Sequence, residues 1–298
     1  MSRIESTFKD RDLEETLDVY FYRPFGYVLA SLGRGLRLSP NLITVLSMVS
    51  GVIAGRLFYY PSLKLNVLGM IVLVFSEALD SADGQLARMT DQKSKLGRVL
   101  DGVAGNIIFI SIYVHICLRY ISGGGSWGIF ALAAPAGLCH SFQSAVADFY
   151  RNAYLYFVRG PAESEFEDSD RVAPQYANLK WRQSVMLKFL MRVYLNYTRQ
   201  QELLTKGFFR LRNATREKFG TEIPAWLANE YALRNGPLIK YYNILTTNTR
   251  ILALFLFLVL KRPEWLFVFE IIILNGLLIF VLLKEHKISR DLLVRIQS

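Results

Sequence analysis

The chain has 298 residues, 52% of them hydrophobic, and a formal charge of +10. Several apolar runs reach roughly 19 to 23 residues with few charges, long enough to cross a bilayer core as helices, which excludes a soluble globular fold. The two cysteines, Cys117 and Cys139, both fall inside such runs, which excludes a disulfide framework, a zinc motif and a redox motif.

Taken in chain order, the opening stretch MSRIESTFKDRDLEETLD is charged and lacks the pattern of a cleavable signal peptide, so none is expected. DRDLEETLDVYFYRPFGYVLASL then reads as a short helix broken at Pro24, lying in the membrane interface with Tyr20, Tyr22, Phe25 and Tyr27 at headgroup level. Ser39-Pro40-Asn41 caps the first span. Six spans are expected, at Leu42–Tyr60, Val67–Leu86, Val99–Ile121, Gly128–Phe149, Ile239–Leu260 and Trp265–Leu283.

Between the fourth and fifth spans runs a segment far longer than an ordinary loop. Its first part is acidic and turn-rich. In its second part Met186, Phe189, Leu190, Val193, Tyr194, Tyr197, Leu204 and Phe208 recur mostly at helical steps, with Arg182, Lys188, Arg192 and Arg199 at intervening positions. Two readings stand side by side: a basic helix on the leaflet surface, or a helical hairpin packed on the ends of the bundle.

The fold expected is all-α: a polytopic integral membrane protein of six spans, with an interfacial N-terminal helix and a long cytoplasmic helical insertion. The divisions are 1–38, the N-terminal segment; 39–150, spans one to four; 151–238, the insertion; and 239–298, spans five and six with a tail. Roughly 29 of the 35 basic residues fall in the N-terminus, the link after span two, the insertion and the tail, which puts both termini on the cytoplasmic side. The basic excess reads as an orientation and anionic-lipid signal, and no nucleic-acid partner is expected.

The chemistry is concentrated in DSADGQLARMTDQKSKLGRVLDGVAGN, Asp80 to Asn106. Asp80 and Asp83 lie about one helical turn apart on one face. Asp101 opens the next span, and two antiparallel spans joined by a short link bring the three carboxylates to one depth. Such acids repel one another and resist desolvation unless a cation joins them, and hard oxygen ligands suit Mg²⁺ or Mn²⁺. Gly84, Ala87, Gly97 and Gly102 strip bulk from the region, for close helix packing or for a flat ligand. Arg88 adds a planar cation suited to phosphate.

Asp80-x2-Asp83-Gly84-x2-Ala87-Arg88-x8-Gly97-x3-Asp101 resembles the signature of the CDP-alcohol phosphotransferases (CDP-alcohol phosphatidyltransferases), D-x2-D-G-x2-A-R-x8-G-x3-D-x3-D. The resemblance implies transfer of a substituted phosphate from a CDP-linked lipid or alcohol donor to an alcohol acceptor, with release of CMP. It implies metal ligation by Asp80, Asp83 and Asp101, and a cytidine-diphosphate pocket lined by Gly84, Ala87, Arg88 and Gly97. Membrane lipids are expected partners, and a homodimer stays open.

The signature's last aspartate would fall at 105, where this chain has Gly105. By the resemblance that position is associated with the base that deprotonates the attacking hydroxyl. Asn106 points about 100° away round the helix and is no base. Asp148, in a polar stripe of the fourth span with His140, Gln143, Ser144 and Arg151, is the candidate to act beside Asp101 in catalysis, and Glu77 is the second. Two other readings compete: an acceptor that needs no base, or a catalytically silent relative that binds nucleotide or metal. An ion-coupled transporter is a third class, but no paired broken helices in two halves are visible. In the fifth span Asn243, Thr247 and Arg250 fall on one helical face and form a candidate acceptor site, the guanidinium holding a phosphate.

Overall fold

The computed structural model describes residues 13–92, 94–164, 166, 168–181 and 185–297. Residues 1–12 of the N-terminal segment, which include the start of the predicted interfacial helix at Asp10, lie outside that set, as does Arg182 of the insertion. The described residues are helical and contain no strand. Among them six helical stretches are long and apolar enough to cross a membrane: Pro40–Phe58, Leu63–Met89, Gly97–Ser122, Trp127–Val158, Ala225–Val259 and Trp265–Gln297. The chain therefore has the six-span, all-α fold read from its apolar runs.

The chain forms two compact units. The first runs to Gly137 and takes in Arg250–Val268. A π turn, Asp18–Tyr22, leads directly into α1, Arg23–Gly35. Pro24 does not break this helix. It stands in the first turn, where its missing N–H has no helical partner to lose. The face of α1 turned to its neighbour carries Gly26, Ala30 and Gly33, all buried, while Phe25, Val28, Leu32 and Leu36 are exposed. Small residues inside and large apolar ones outside are the reverse of a soluble protein, and suit a helix whose outer face meets lipid. The aromatic band departs from expectation at Tyr22, which is buried, whereas Tyr20 is exposed.

The centre of this unit is α2, Pro40–Phe58, which packs on both α3, Leu63–Met89, and α4, Lys95–Ser122. Ser47 and Ser76, both fully buried, exchange bonds across α2 and α3: the Ser47 hydroxyl donates to the Ser76 carbonyl at 3.0 Å, and that of Ser76 to the Ser47 carbonyl at 2.8 Å. Against α4 the approach is closer still. A Cβ at Gly55 would lie 2.6 Å from Ser111 Oγ and 3.1 Å from the Ile112 backbone nitrogen, so only glycine fits. At the far end the Arg119 guanidinium donates to the Phe58 carbonyl at 3.1 Å and to Asn66 Oδ1 at 3.2 Å, closing the end of α2 against α3 and α4.

With 27 residues, α3 is about 40 Å long, against a hydrocarbon core of about 30 Å. Its last turns carry Asp80, Asp83 and Arg88.

The second unit holds Leu138–Thr249 and the chain from Phe269 onward. The helix α5, Phe130–Val158, runs about nine residues past the expected end of the fourth span, at Phe149. It is followed by α6, Ser169–Asn178; α7, Val185–Leu204; α8, Lys206–Phe219; α9, Ala225–Asn235; and α10, Ile239–Ile244. After a break the chain runs through α11, Thr247–Val259, and α12, Trp265–Val268, which from Arg250 onward belong to the first unit; a π segment, Phe269–Leu274, then leads into α13, Asn275–Gln297. One aromatic core joins Phe149, Tyr156 and Phe157 of α5 to Phe208 of α8, Tyr231 of α9 and Tyr242 of α10.

The segment between spans four and five is thus both folded on itself and packed on membrane helices. Val172 of α6 buries against Met191 and Leu195 of α7. Arg212 of α8 grips Asp168 through two bonds of 2.9 and 3.1 Å, and Glu202 accepts from the Ser169 backbone N–H and hydroxyl at 2.6 Å each. Along the chain end, α8 lies against α13.

Candidate metal and nucleotide site

Three helix termini of the first unit build the site. Ser39 caps α2, its hydroxyl accepting from the Leu42 N–H at 3.3 Å, with Pro40 in the first turn. Ser94 caps α4 in the same way, accepting from the Gly97 N–H at 2.9 Å. Between them α3 ends at Met89, and the chain turns through Asp91 in a left-handed conformation (φ 55°). The caps fix where α2 and α4 begin, and so the register of every side chain that follows.

That register brings Asp80 and Asp83 of α3 together with Asp101 of α4: one carboxylate oxygen from each lies within 4.8 Å of the others. Asp83 is buried, and Asp80 and Asp101 are half-buried. The Thr44 hydroxyl, in the opening turns of α2, donates to Asp83 Oδ2 at 2.5 Å and also reaches the Pro40 carbonyl at 3.2 Å. So α2 sets the rotation of one carboxylate in the group. A divalent ion fits here on the chemistry of the donors: three hard anionic oxygens at a spacing one ion can bridge.

The surroundings suit an anionic ligand beside that ion. The Arg88 guanidinium folds back over Gly84, 3.6 Å from where a Cβ at that position would stand. The first turn of α4 approaches the start of α2, since a Cβ at Gly97 would lie 3.5 Å from Asn41 Oδ1. Two helix N-termini thereby bring their partial positive charge to the same place, a setting that favours phosphate. Added Cβ atoms at Gly102 and Gly105 would meet nothing within 4 Å. Helix packing does not therefore require glycine at 105. Asn106 is occupied elsewhere, its amide donating to the Gly102 carbonyl at 2.7 Å.

The other predicted residues are distributed differently. Asp148 belongs to the second unit, where Tyr197 Oη and Gln201 Nε2 each lie 3.4 Å from its Oδ2. Burial, and next the Asp148 charge, push the Tyr197 phenol well above its usual range, so it remains a neutral donor to that carboxylate. His140 faces the buried Glu270 at 3.6 Å, and Gln143 donates to the Glu270 carbonyl at 2.9 Å and to Asn275 Oδ1 at 2.7 Å. For these two the polar stripe is an interhelical network. The single face predicted for Asn243, Thr247 and Arg250 needs a continuous fifth helix, and the helix is interrupted at Leu245–Thr246. Asn243 closes α10, while Thr247 opens α11. Burial, and next the charges of Glu77, Asp18 and Glu15, push the Tyr22 phenol far up.

Thr44 escaped the sequence reading. Its one signal was its place a helical turn beyond Pro40 in an otherwise apolar helix.

The model of the CDP-alcohol phosphatidyltransferase family matches residues 37–156, the stretch holding every element of this site. Over this stretch the chain is similar to the CDP-alcohol phosphatidyltransferases. Curated relatives agree. The chain is 36% identical over 93 residues to an archaetidylinositol phosphate synthase of Pyrococcus horikoshii, covering 31% of this chain and 46% of that protein. It is 33% identical over 101 residues to a phosphatidylinositol phosphate synthase of Streptomyces avermitilis (34% and 39%). It is 34% identical over 99 residues to a CDP-diacylglycerol–glycerol-3-phosphate 3-phosphatidyltransferase of Pseudomonas fluorescens (33% and 47%). The matches thus span less than half the length of these relatives. No solved structure matches the chain.

Proposed function

We propose that the chain is a membrane phosphotransferase that moves a substituted phosphate from a CDP-linked donor to an alcohol acceptor and releases CMP, making a phospholipid or a lipid-like phosphodiester. The observation that carries this reading is the convergence of Asp80, Asp83 and Asp101 within 4.8 Å, inside the stretch that matches this family's model.

In this reading the three carboxylates hold Mg²⁺ or Mn²⁺, which when bound supplies charge neutralisation for the departing phosphate. Arg88 binds the diphosphate through its planar fork. Gly84, Ala87 and Gly97 admit the cytidine nucleotide closely, and the N-termini of α2 and α4 stabilise its anionic oxygens. The acceptor oxygen forms the new bond to the substituted phosphorus as the bond to CMP breaks. Its proton passes to the Asp148 carboxylate, or to Glu77 if Asp148 proves dispensable, while Asp101 completes the reacting centre. Asn243, Thr247 and Arg250 are assigned to the acceptor. The site and both termini are assigned to the cytoplasmic side, and the working divisions are 1–38, 39–150, 151–238 and 239–298.

Gly105 favours one second reading: a relative that binds nucleotide and metal without turnover. Purified protein given CDP-diacylglycerol, Mn²⁺ and a panel of polar alcohols separates the two. CMP release with any acceptor supports the enzyme. Binding of the cytidine nucleotide with no CMP release from any acceptor supports the silent relative, and no nucleotide binding at all rejects both.

A further inference from the structure

We propose that the α6–α7 hairpin is a membrane-surface device: Trp181, Val185, Met186 and Phe189 form an apolar patch that inserts into the headgroup–acyl boundary of an anionic leaflet. This inference rests on the spans, not on the proposed reaction.

Three bonds hold α7 sideways against a membrane helix of its own unit. The Ser141 hydroxyl of α5 donates to Gln200 Oε1 at 3.1 Å, Gln201 Nε2 donates to the Ala145 carbonyl at 3.1 Å, and the Tyr197 hydroxyl donates to Asp148 at 3.4 Å. Residues 141–148 lie within the apolar stretch Trp127–Val158 that is long enough to cross a bilayer. Whatever surrounds that stretch therefore reaches the flank of α7.

The exposed side of α7 suits such surroundings. Its inner side is already covered, Met191 and Leu195 packing on Val172 of α6. Outside stand Val185 (62% exposed), Met186 (68%) and Phe189 (49%), with Trp181 (50%) just before the helix. Four large exposed apolar groups so near one another in the chain are costly in water and stabilising in an interface. Arg192 and Arg199 are exposed on the same helix, and the Lys188 amine sits over the Tyr176 and Trp181 rings at 4.9 and 5.5 Å. Cations beside an apolar patch, on a chain of charge +10, select an anionic leaflet over a neutral one.

The test uses the full chain in lipid nanodiscs, with nitroxides placed by Met186→Cys, Phe189→Cys and Glu217→Cys in a Cys117→Ala, Cys139→Ala background. Glu217 is an exposed position on α8. Labels at 186 and 189 should be accessible to oxygen and shielded from a water-soluble nickel complex, at depths of about 5–10 Å, with the reverse at 217. The shielding should be greater in phosphatidylglycerol discs than in phosphatidylcholine discs. Equal nickel access at all three positions overturns the proposal, as does indifference to headgroup charge. Spin–spin broadening at 186 that grows with the number of chains per disc would also overturn it, in favour of a second copy. The Trp181→Phe chain, with its native cysteines, gives an independent reading: bromolipid quenching of tryptophan fluorescence should fall when Trp181 is removed, and no change counts against insertion.

Discussion

The acid triad of the first unit and a buried acid of the second have opposite surroundings. In the first unit Asp80, Asp83 and Asp101 are gathered on one another. In the second, Glu285 of α13 is more deeply buried, at 1% exposure, yet neutral donors meet it: the Tyr242 hydroxyl and, with its amide oriented to satisfy both ends, Asn235 at 2.6 Å. Burial alone therefore does not mark a functional acid. A carboxylate ringed by donors ties helices together, here α13 to α9 and α10. Carboxylates ringed by carboxylates need a cation.

The sharpest way to break that contrast is to neutralise one acid of each kind. Asp83→Asn should abolish CMP release and weaken Mn²⁺ binding, followed by electron paramagnetic resonance, by more than the roughly 100-fold that loss of a supporting partner can cost. Glu285→Gln should leave Mn²⁺ binding intact and lower stability by about 1–3 kcal/mol, read as a fall in the melting midpoint. If the outcomes were exchanged, the assignment of roles to the two units would fail.

The missing acid at 105 comes next. Asp148→Asn should reduce turnover by about 10²–10⁴-fold, the contribution of a positioned general base. Full turnover in that variant would transfer the role to Glu77, which Glu77→Gln then tests. Because an added Cβ at 105 would meet no atom within 4 Å, Gly105→Asp should fold normally. Added to Asp148→Asn it should restore part of the lost rate. Failure to restore any rate would mean that an acid at 105 cannot reach the reacting hydroxyl.

A smaller effect is expected where a neighbouring helix supports the acids without itself being acidic. Thr44→Val keeps the shape of the side chain and removes the donor to Asp83, so Mn²⁺ affinity should fall about 10–100-fold with little change in melting midpoint. An unchanged affinity would show that α2 packs beside the site without orienting it.

These tests follow what the sequence could and could not disclose. The spans were legible because a run of apolar residues has one solution in lipid, and the acid triad because its spacing sets three carboxylates on facing helix ends. Thr44 was not, since a threonine in an apolar helix resembles any other span residue and its partner lies 39 residues away. The interruption at Leu245–Thr246 has neither proline nor glycine to announce it, so the fifth span read as one helix. Tyr22 read as an interfacial aromatic and is buried instead, because tertiary packing decides which side of a short helix meets lipid.

Asp91 supplies the finest test of the comparison, as an acid beside the site that belongs to neither kind. It is exposed and ends α3 in a left-handed conformation (φ 55°), with the Gln92 N–H bonded to the Ala87 carbonyl at 2.9 Å and the Thr90 N–H to that of Leu86 at 3.0 Å. That backbone turn needs a residue tolerant of positive φ and makes no use of a carboxylate. Asp91→Gly should therefore raise stability by a few tenths to about 1 kcal/mol, seen as a small rise in melting midpoint, and leave Mn²⁺ affinity unchanged. A loss of Mn²⁺ affinity would enlarge the metal site to include the link, and the contrast between gathered and solvated acids would have to be redrawn around four carboxylates rather than three.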